Sequence, residues 1–450
     1  MCSVLKKYPG LKIAFFVSWI MLQCLPAASV AAPLPAAQGE VDYWRDVKPV
    51  LDSRCVSCHA CSDAPCQLNL ASHEGVLRGA NKKLVYESAR LRDEEPTRLS
   101  IDARTTEGWR AKGFFSVLGA QGSTNSGVGS PPSAGGLMLG MLTLKTKNRG
   151  VAAKPPQGGR ADDKQRSQQC PLPEEFDAYA RRFPMHGMPY GLPAIADAEY
   201  AVLASWLARG APAGEPEPLD LRYQQRIDGW EFFLNGGTAK QRLMSRYLYE
   251  HLFLANLYFG DLGQRQFFRV VRSRTPPGQP IDLIATRAPF NDPGAKAFWY
   301  RIEPVYDTVV AKTHMPYELS EARMARFQAL FLDAGFEVTQ LPDYSAKVAS
   351  NPFVAFKEMP VDSRYRFMLD DAEFFIRGFM KSPVCRGQVA VDVIEDRFWV
   401  VFEAPEPAMG MRDSVFLAGA ATRCGCLPKK SKGRSVCCRG RATKARRRPT

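Results

Sequence analysis

The residues with the clearest chemical signature lie near the N-terminus, where Cys55-Val-Ser-Cys58-His59 has the spacing of a covalent haem attachment site. Two thiols three positions apart reach the two vinyl groups on one edge of a porphyrin. The histidine directly after the second cysteine is placed to bring an imidazole nitrogen to the iron. The sequence therefore predicts one haem c, attached by Cys55 and Cys58, with His59 as an iron ligand.

Two other uses of the cysteines in this stretch stay open. Cys55, Cys58, Cys61 and Cys66 can bind zinc or an iron–sulfur cluster, with His59 as a further ligand. They can also form disulfides in an oxidising compartment. An export signal favours haem, because c-type haem is attached outside the cytoplasm. Cys61 and Cys66 are then left over, and we predict a local disulfide between them.

The second axial iron ligand has to come from another part of the chain. Met188 precedes a proline in a Met-Pro-Tyr sequence, and a thioether on a stiff loop suits a cytochrome c iron. We predict that Met188 is this ligand. Met185 and His186 are close enough to compete, and Met315, in a second Met-Pro-Tyr sequence, is an outside candidate.

Helical patterns flank these candidate ligands on both sides. Tyr43, Val47, Val50 and Leu51 form an apolar stripe that leads into the attachment motif. A second helix starts at Asp197, the predicted N-cap, and stops at Gly210. We expect an all-α, cytochrome c-like domain over residues 40–215. Gly, Ser, Pro and polar residues indicate disordered insertions near residues 120–169.

The first 32 residues have the pattern of a signal peptide. Lysines 6, 7 and 12 precede an apolar run over residues 13–25, and small residues follow at 27–32. A membrane anchor is the alternative, but the run is shorter than the roughly 20 residues that span a bilayer. We predict an exported protein that is soluble or peripheral.

The formal net charge of +14 is unevenly distributed. Residues 424–450 hold ten Lys or Arg and no Asp or Glu, so that only +4 belongs to the rest of the chain. A basic surface for nucleic acid is therefore not indicated, and we predict no nucleic-acid partner. We interpret residues 405–450 as an aberrant, basic and disordered tail.

A Pro- and Glu-rich linker at residues 214–218 introduces a mixed α+β domain over residues 219–404. The predicted helices cover residues 241–258, 320–334 and 362–380. The predicted strands cover residues 267–274 and 281–286, joined by a Pro276-Pro277-Gly278 turn, and a hairpin covers residues 388–402.

Charged and titratable residues of this second domain have two interpretations each. Arg269, Arg272 and Arg274 are most simply surface arginines on an edge strand, with headgroup or carboxylate contacts as the alternative. For His251 we favour a packed histidine over a catalytic base. We predict no specific catalytic residue from the sequence.

Several long segments resemble the bacterial fatty acid cis/trans isomerase family. They are residues 43–49, 55–68, 187–190, 249–259, 268–280, 310–317, 351–356, 381–389 and 395–400. The resemblance covers residues 40–404 and includes the haem motif. Family members continue further, so we expect a chain that is C-terminally truncated or frameshifted.

This resemblance implies a periplasmic haem protein that converts cis double bonds of unsaturated acyl chains to trans. The substrates implied are membrane phospholipids or free unsaturated fatty acids, with peripheral contact at the membrane surface. Rotation about a C=C bond needs a brief loss of bond order, and haem is the only electron-handling group that the motifs indicate. The alternative is a periplasmic c-type cytochrome that transfers electrons.

Overall fold

The computed structural model describes residues 40–60, 64–83, 86–87, 90–91, 97–119, 135–149, 170–263, 266–310 and 314–381. The predicted signal peptide, Cys61, the hairpin over residues 388–402 and the basic tail lie outside these residues. Within the described part, no helix is long and apolar enough to cross a membrane.

The N-terminal region is helical, apart from one short pair of strands. A π-helical turn at Tyr43–Val47 continues directly into the first α-helix. The helices are α1 (Lys48–Arg54), α2 (His73–Arg78), α3 (Thr106–Ala111), α4 (Gly136–Lys147), α5 (Phe176–Arg182) and α6 (Asp197–Ala208). Strands β1 (Tyr86–Glu87) and β2 (Arg90–Leu91) pair antiparallel. The cytochrome c-like character of this region stays a prediction.

Helix α4 corrects the predicted insertion over residues 120–169. Met138, Met141 and Leu142 on this helix are buried, and they belong to the core of the N-terminal region. The Gly/Ser-rich and the Lys/Arg-rich stretches on either side hid this apolar helix in the sequence. The prediction of disorder is therefore wrong for residues 136–147, while residues 120–134 and 150–169 lie outside the described part.

The second region combines seven helices with a four-stranded mixed sheet among the described residues, which confirms its α+β class. The helices are α7 (Leu221–Leu234), α8 (Ala239–Leu252), α9 (Glu321–Phe331), α10 (Ala346–Ala349), α11 (Pro352–Ala355), α12 (Val361–Asp370) and α13 (Ala372–Lys381). The strands are β3 (Asn256–Phe259), β4 (Phe267–Ser273), β5 (Trp299–Val305) and β6 (Pro316–Leu319). Their order is β5-β4-β3-β6, and β6 is parallel to β3.

Local sequence explains where α8 starts and which face it buries. Thr238 and Gln241 form a capping box, in which each side chain accepts a hydrogen bond from the other residue's backbone N–H. Leu243, Tyr247 and Leu248 on one face are buried. They pack against the sheet, whose alternate residues point into the same core.

Three predicted elements of this region differ in the structure. The predicted helix over residues 241–258 ends at Leu252, and its last residues form β3. The predicted strand over residues 281–286 makes only an isolated bridge from Leu283 to Ser273, and the partner of β4 is β5. The predicted helix over residues 362–380 breaks at Asp371. In the first two cases strand pairing overrides a local pattern.

The two regions contact each other through the segment that follows β5. The Thr308 N–H donates to the Ala71 carbonyl at 2.8 Å, and the Thr308 hydroxyl donates to Asp52 at 2.5 Å. The ring of Trp44 lies edge-on to Tyr306, with centroids 5.7 Å apart. Helix α1, which leads into the cysteine motif, is thereby fixed to the second region.

Candidate functional site

The cysteine motif forms a turn that continues directly from α1. The Cys55 N–H donates to the Leu51 carbonyl at 2.9 Å, and the His59 N–H donates to the Cys55 carbonyl at 3.0 Å. Cys55 and Cys58 are both free thiols, the first half-buried and the second exposed. Burial raises the pKa of the Cys55 thiol to about 12, so the thiol is neutral at pH 7.

The orientation of the His59 ring is typical of a histidine that binds a metal. Its Nδ1 lies 3.0 Å from the Leu68 carbonyl oxygen. Because a carbonyl only accepts, Nδ1 carries the proton, and the lone pair of the neutral ring is on Nε2. Burial lowers the pKa of His59, which favours this neutral form. Metal-binding histidines are commonly oriented by such a hydrogen bond from the second ring nitrogen, so His59 fits the role of iron ligand.

A disulfide joins Cys66 to Cys170. The predicted pairing of Cys66 with Cys61 is therefore wrong. Residues 66 and 170 are brought together by the packing of the region rather than by proximity in the chain, which the sequence pattern could not indicate. Because Cys66 is in a disulfide, it is not a zinc ligand. No group of three or more potential metal-binding side chains occurs in the described ranges.

Met188 is fixed on the buried helix α4. Its N–H donates to the Met141 carbonyl at 3.0 Å. The preceding Gly187 touches the same helix so closely that an added Cβ would lie 2.3 Å from the Lys145 nitrogen. Met188 and Cys55 are both half-buried, and they pack against the same apolar core. The predicted attachment residue and the predicted axial ligand therefore belong to one packed region.

The other candidates for the axial position have different surroundings. His186 stacks on Phe183, with ring centroids 4.9 Å apart, and lies edge-on to Tyr190. Met315 is buried at the start of β6 in the second region, where its N–H donates to the Asn256 side chain at 2.8 Å. Met315 thus lies outside the core that Cys55 and Met188 share. Met188 remains the prediction that the packing favours.

In the helix that follows Met188, the N-cap lies one residue before Asp197, the N-cap that the sequence predicted. Ala196 is the N-cap of α6, and Asp197 is its first residue. Glu199 accepts a hydrogen bond from the Ala196 N–H at 2.9 Å and also pairs with Arg54, which directly precedes Cys55.

Arg272 is the residue that the sequence interpretation placed wrongly. It is only 1% exposed, because Tyr249 and the segment that carries Thr286 and Asn291 cover its side chain, and β4 is an inner strand of the sheet rather than an edge. Arg274 is exposed and pairs with Asp282, as expected of a surface arginine, while Arg269 is half-buried and pairs with Glu303. A buried arginine among aromatic residues was not visible from strand alternation alone.

His251 is packed as the sequence indicated. Its Nδ1 donates to the Tyr247 carbonyl at 2.7 Å, and Phe367 and Phe375 lie edge-on to its ring. Burial lowers its pKa to about 4.

A comparison with protein families matches most of this chain. The model described as fatty acid cis/trans isomerase (CTI) matches residues 94–440, which is most of the chain. The chain belongs to the fatty acid cis/trans isomerase family. No curated protein and no solved structure matches it.

The isomerase family match and the haem motif cover different parts of the chain. The match begins after His59, so that Met188 lies within it while Cys55 and Cys58 do not. The match ends at residue 440. The resemblance seen in the sequence ended earlier, at residue 404. Isomerase activity and an unsaturated acyl substrate follow at the level of the family.

Proposed function

We propose that this isomerase carries one haem c on Cys55, Cys58 and His59, and that it converts cis double bonds of membrane acyl chains to trans in the periplasm. The single observation that carries the haem assignment is the hydrogen bond between His59 Nδ1 and the Leu68 carbonyl, which leaves Nε2 as the ligating nitrogen beside two free thiols. The family match supports the reaction.

Two of the residues that would hold the cofactor, Cys55 and Met188, pack against one apolar core. Cys55 and Cys58 would form the thioether bonds, and His59, oriented by the Leu68 carbonyl, would be an iron ligand. Met188, whose N–H donates to the Met141 carbonyl, would be a second iron ligand. Bound there, haem would supply the electron-handling group that a change in C=C bond order requires.

An exposed apolar tip in the second region supports peripheral contact with a membrane. Phe353 and Val354 on α11 are 53% and 38% exposed. Lys347 and Lys357 flank them and are exposed. An apolar pair beside lysines suits shallow insertion next to anionic headgroups. Such contact would bring acyl chains to the protein. Their isomerisation would then adjust membrane fluidity under stress.

The test is to incubate the purified, exported protein with vesicles of cis-unsaturated phospholipid, and separately with free cis-unsaturated fatty acid. The acyl chains are then analysed by gas chromatography. We expect trans products from the wild type and none from Cys55→Ser/Cys58→Ser. A wild type that contains covalent haem but gives no trans product would contradict isomerisation and favour the electron-transfer alternative.

The haem assignment has its own readout. Denatured wild-type protein should keep its pigment after extraction with acid acetone, because thioether bonds survive this treatment. A pigment that is extracted, or exported protein without a Soret band, would overturn the haem assignment whatever the isomerase assay gives.

A further inference from the structure

The segment from Cys66 to Leu68 carries the carbonyl that orients His59. The Leu68 carbonyl oxygen lies 3.0 Å from His59 Nδ1. Two rotatable bonds at the Cα of Leu68 separate this carbonyl from the preceding peptide group, which is itself planar. Contacts that fix the peptide group between Gln67 and Leu68 therefore also fix the direction of the His59 ring.

This segment has a backbone conformation that needs support from its surroundings. Cys66 has a φ of 57° and Gln67 has a φ of 49°, in the left-handed region that residues other than glycine seldom adopt. Such a conformation persists where the surrounding contacts hold it. The disulfide to Cys170 holds the first residue, together with a hydrogen bond of 2.7 Å from the Asn81 N–H to the Cys66 carbonyl. The end that leads to Leu68 needs a further contact.

Arg78, the last residue of α2, makes this contact. Its Nη2 donates to the Gln67 carbonyl at 2.5 Å. On the other side of the same peptide group, the Leu68 N–H donates to the Pro65 carbonyl at 3.2 Å. Both polar atoms of the peptide group are thereby held. Arg78 Nη1 donates to the Thr97 carbonyl at 2.7 Å, which keeps the guanidinium from turning away.

The Arg78 guanidinium lies in an apolar place between two aromatic rings. Arg78 is 2% exposed, and its Cζ lies 4.8 Å from the centroid of the Phe114 ring and 5.5 Å from that of the Trp109 ring. Burial lowers the pKa of Arg78 to about 10, so the side chain is still charged at pH 7. A charged donor makes a stronger hydrogen bond to a carbonyl than a neutral donor does. Because burying a charge is costly, its presence here favours a specific role over the filling of space.

Helix α2 is packed against the same part of the chain, which gives Arg78 a defined position. Gly75 on this helix comes so close that an added Cβ would lie 2.1 Å from the Asn69 carbonyl oxygen. The next residue, Leu70, donates its N–H to the His59 carbonyl at 2.7 Å. The attachment motif, the segment that orients His59 and α2 are therefore connected by direct contacts.

We propose that Arg78 is a positioning residue for His59, because it holds the Gln67 carbonyl and thereby keeps the Leu68 carbonyl directed at Nδ1. The inference rests on the proposed function in treating His59 as an iron ligand, and it goes further by giving a role to a side chain outside the attachment motif. A hydrogen bond from Nδ1 makes the imidazole more basic. A more basic ligand favours ferric haem, so loss of this hydrogen bond should raise the reduction potential.

The test compares Arg78→Met with Arg110→Met in the full, exported protein. Arg110 is a matched control, because it donates to the Arg78 and Leu77 carbonyls at the same end of α2. We expect Arg78→Met to shift the equilibrium about tenfold toward ferrous haem, which is a rise of about 59 mV for one electron. Arg110→Met should leave the potential unchanged. Both changes remove hydrogen bonds and should lower stability in urea, so the potential separates positioning from a structural role.

Hydrogen exchange of the His59 Nδ1–H is a second readout, and it does not require haem. It is followed by NMR on the full chain as purified. In Arg78→Met this proton should exchange about tenfold faster than in the wild type, the equivalent of one lost hydrogen bond. In Arg110→Met it should exchange at the wild-type rate.

Arg78→Lys is the second variant, in case Arg78→Met does not fold. Its ammonium keeps the charge but does not reproduce the fixed fork of the guanidinium, so both readouts should change in the same direction by a smaller amount. Wild-type values in a folded Arg78 variant, or equal changes in Arg110→Met, would overturn the proposal. Protein without covalent haem would contradict the proposed function, and the exchange rate would then still decide whether Arg78 positions His59.

Discussion

Arg54 and Glu199 form an ion pair of 3.0 Å across 145 positions of the chain. Arg54 directly precedes Cys55, and Glu199 lies in the first turn of the helix that follows the Met188 loop. The pair therefore connects the two segments that carry the candidate iron ligands.

A double-mutant cycle measures this connection. Arg54→Gln, Glu199→Gln and the double variant should give a coupling energy of about 0.2–1 kcal/mol, small because Arg54 is half-exposed. Glutamine keeps an oxygen for the Ala196 N–H, so the helix cap is retained. Urea unfolding of the four proteins gives the value. Strictly additive changes would mean that the pair does not connect the segments.

Removal of the disulfide should destabilise the protein by about 2–5 kcal/mol. Cys66→Ser, Cys170→Ser and the double variant should lose the same amount, because each removes the same bond. Reductant added to the wild type is the control and should reproduce the loss. Peptide mapping that finds Cys66 linked to Cys61 would refute the pairing.

Gly187 and Gly229 provide a matched pair of glycine substitutions. Gly187→Ala places a Cβ 2.3 Å from the Lys145 backbone and should cost about 1–3 kcal/mol of the free energy of unfolding. Gly229→Ala lies within α7, and its Cβ meets nothing within 4 Å, so it should stabilise by up to about 1 kcal/mol. Equal effects of the two changes would show that the Met188 loop is not held against α4.

Met188→Ala tests the sixth ligand. We expect covalent haem to be retained, while the reduction potential falls by on the order of 100 mV, because a thioether ligand raises it. Met185→Ala is the control and should leave the potential unchanged. A shift in the Met185 variant and none in the Met188 variant would assign the ligand to Met185.

His251 should make the protein less stable in acid. Its pKa is about 4 in the folded state, against 6.5 for the free side chain, because burial disfavours the charged ring. Below pH 6.5 the unfolded chain binds more protons, so stability is full above this pH and falls as the pH drops toward 4. The loss by pH 4 should be about 3 kcal/mol.

His251→Gln removes this titration and keeps a polar side chain at the same place in the helix. The difference in free energy of unfolding between variant and wild type, measured by urea at pH 7, 5.5 and 4.5, should therefore change by a large part of that amount. A difference that does not vary with pH would exclude His251 as a source of acid sensitivity.

Much of the local structure was predictable from neighbouring residues. The cysteine–histidine spacing is set by covalent geometry within five positions. Ser320 caps α9, and the first half of β4 alternates between half-buried and buried residues, because helix and strand periods are properties of contiguous residues. For the same reason, α8 was expected, although its end was not.

The sequence by itself determined the attachment motif, the α+β class of the second region and most element starts, since all three are encoded in short patterns. Only the tertiary structure decided that Cys66 pairs with Cys170, that Met188 rests on α4 and that Arg272 is buried under Tyr249 and the segment that carries Thr286 and Asn291. Each of these depends on contacts between segments far apart in the chain. No spacing in the sequence specifies such a distance, because packing of the whole core sets it.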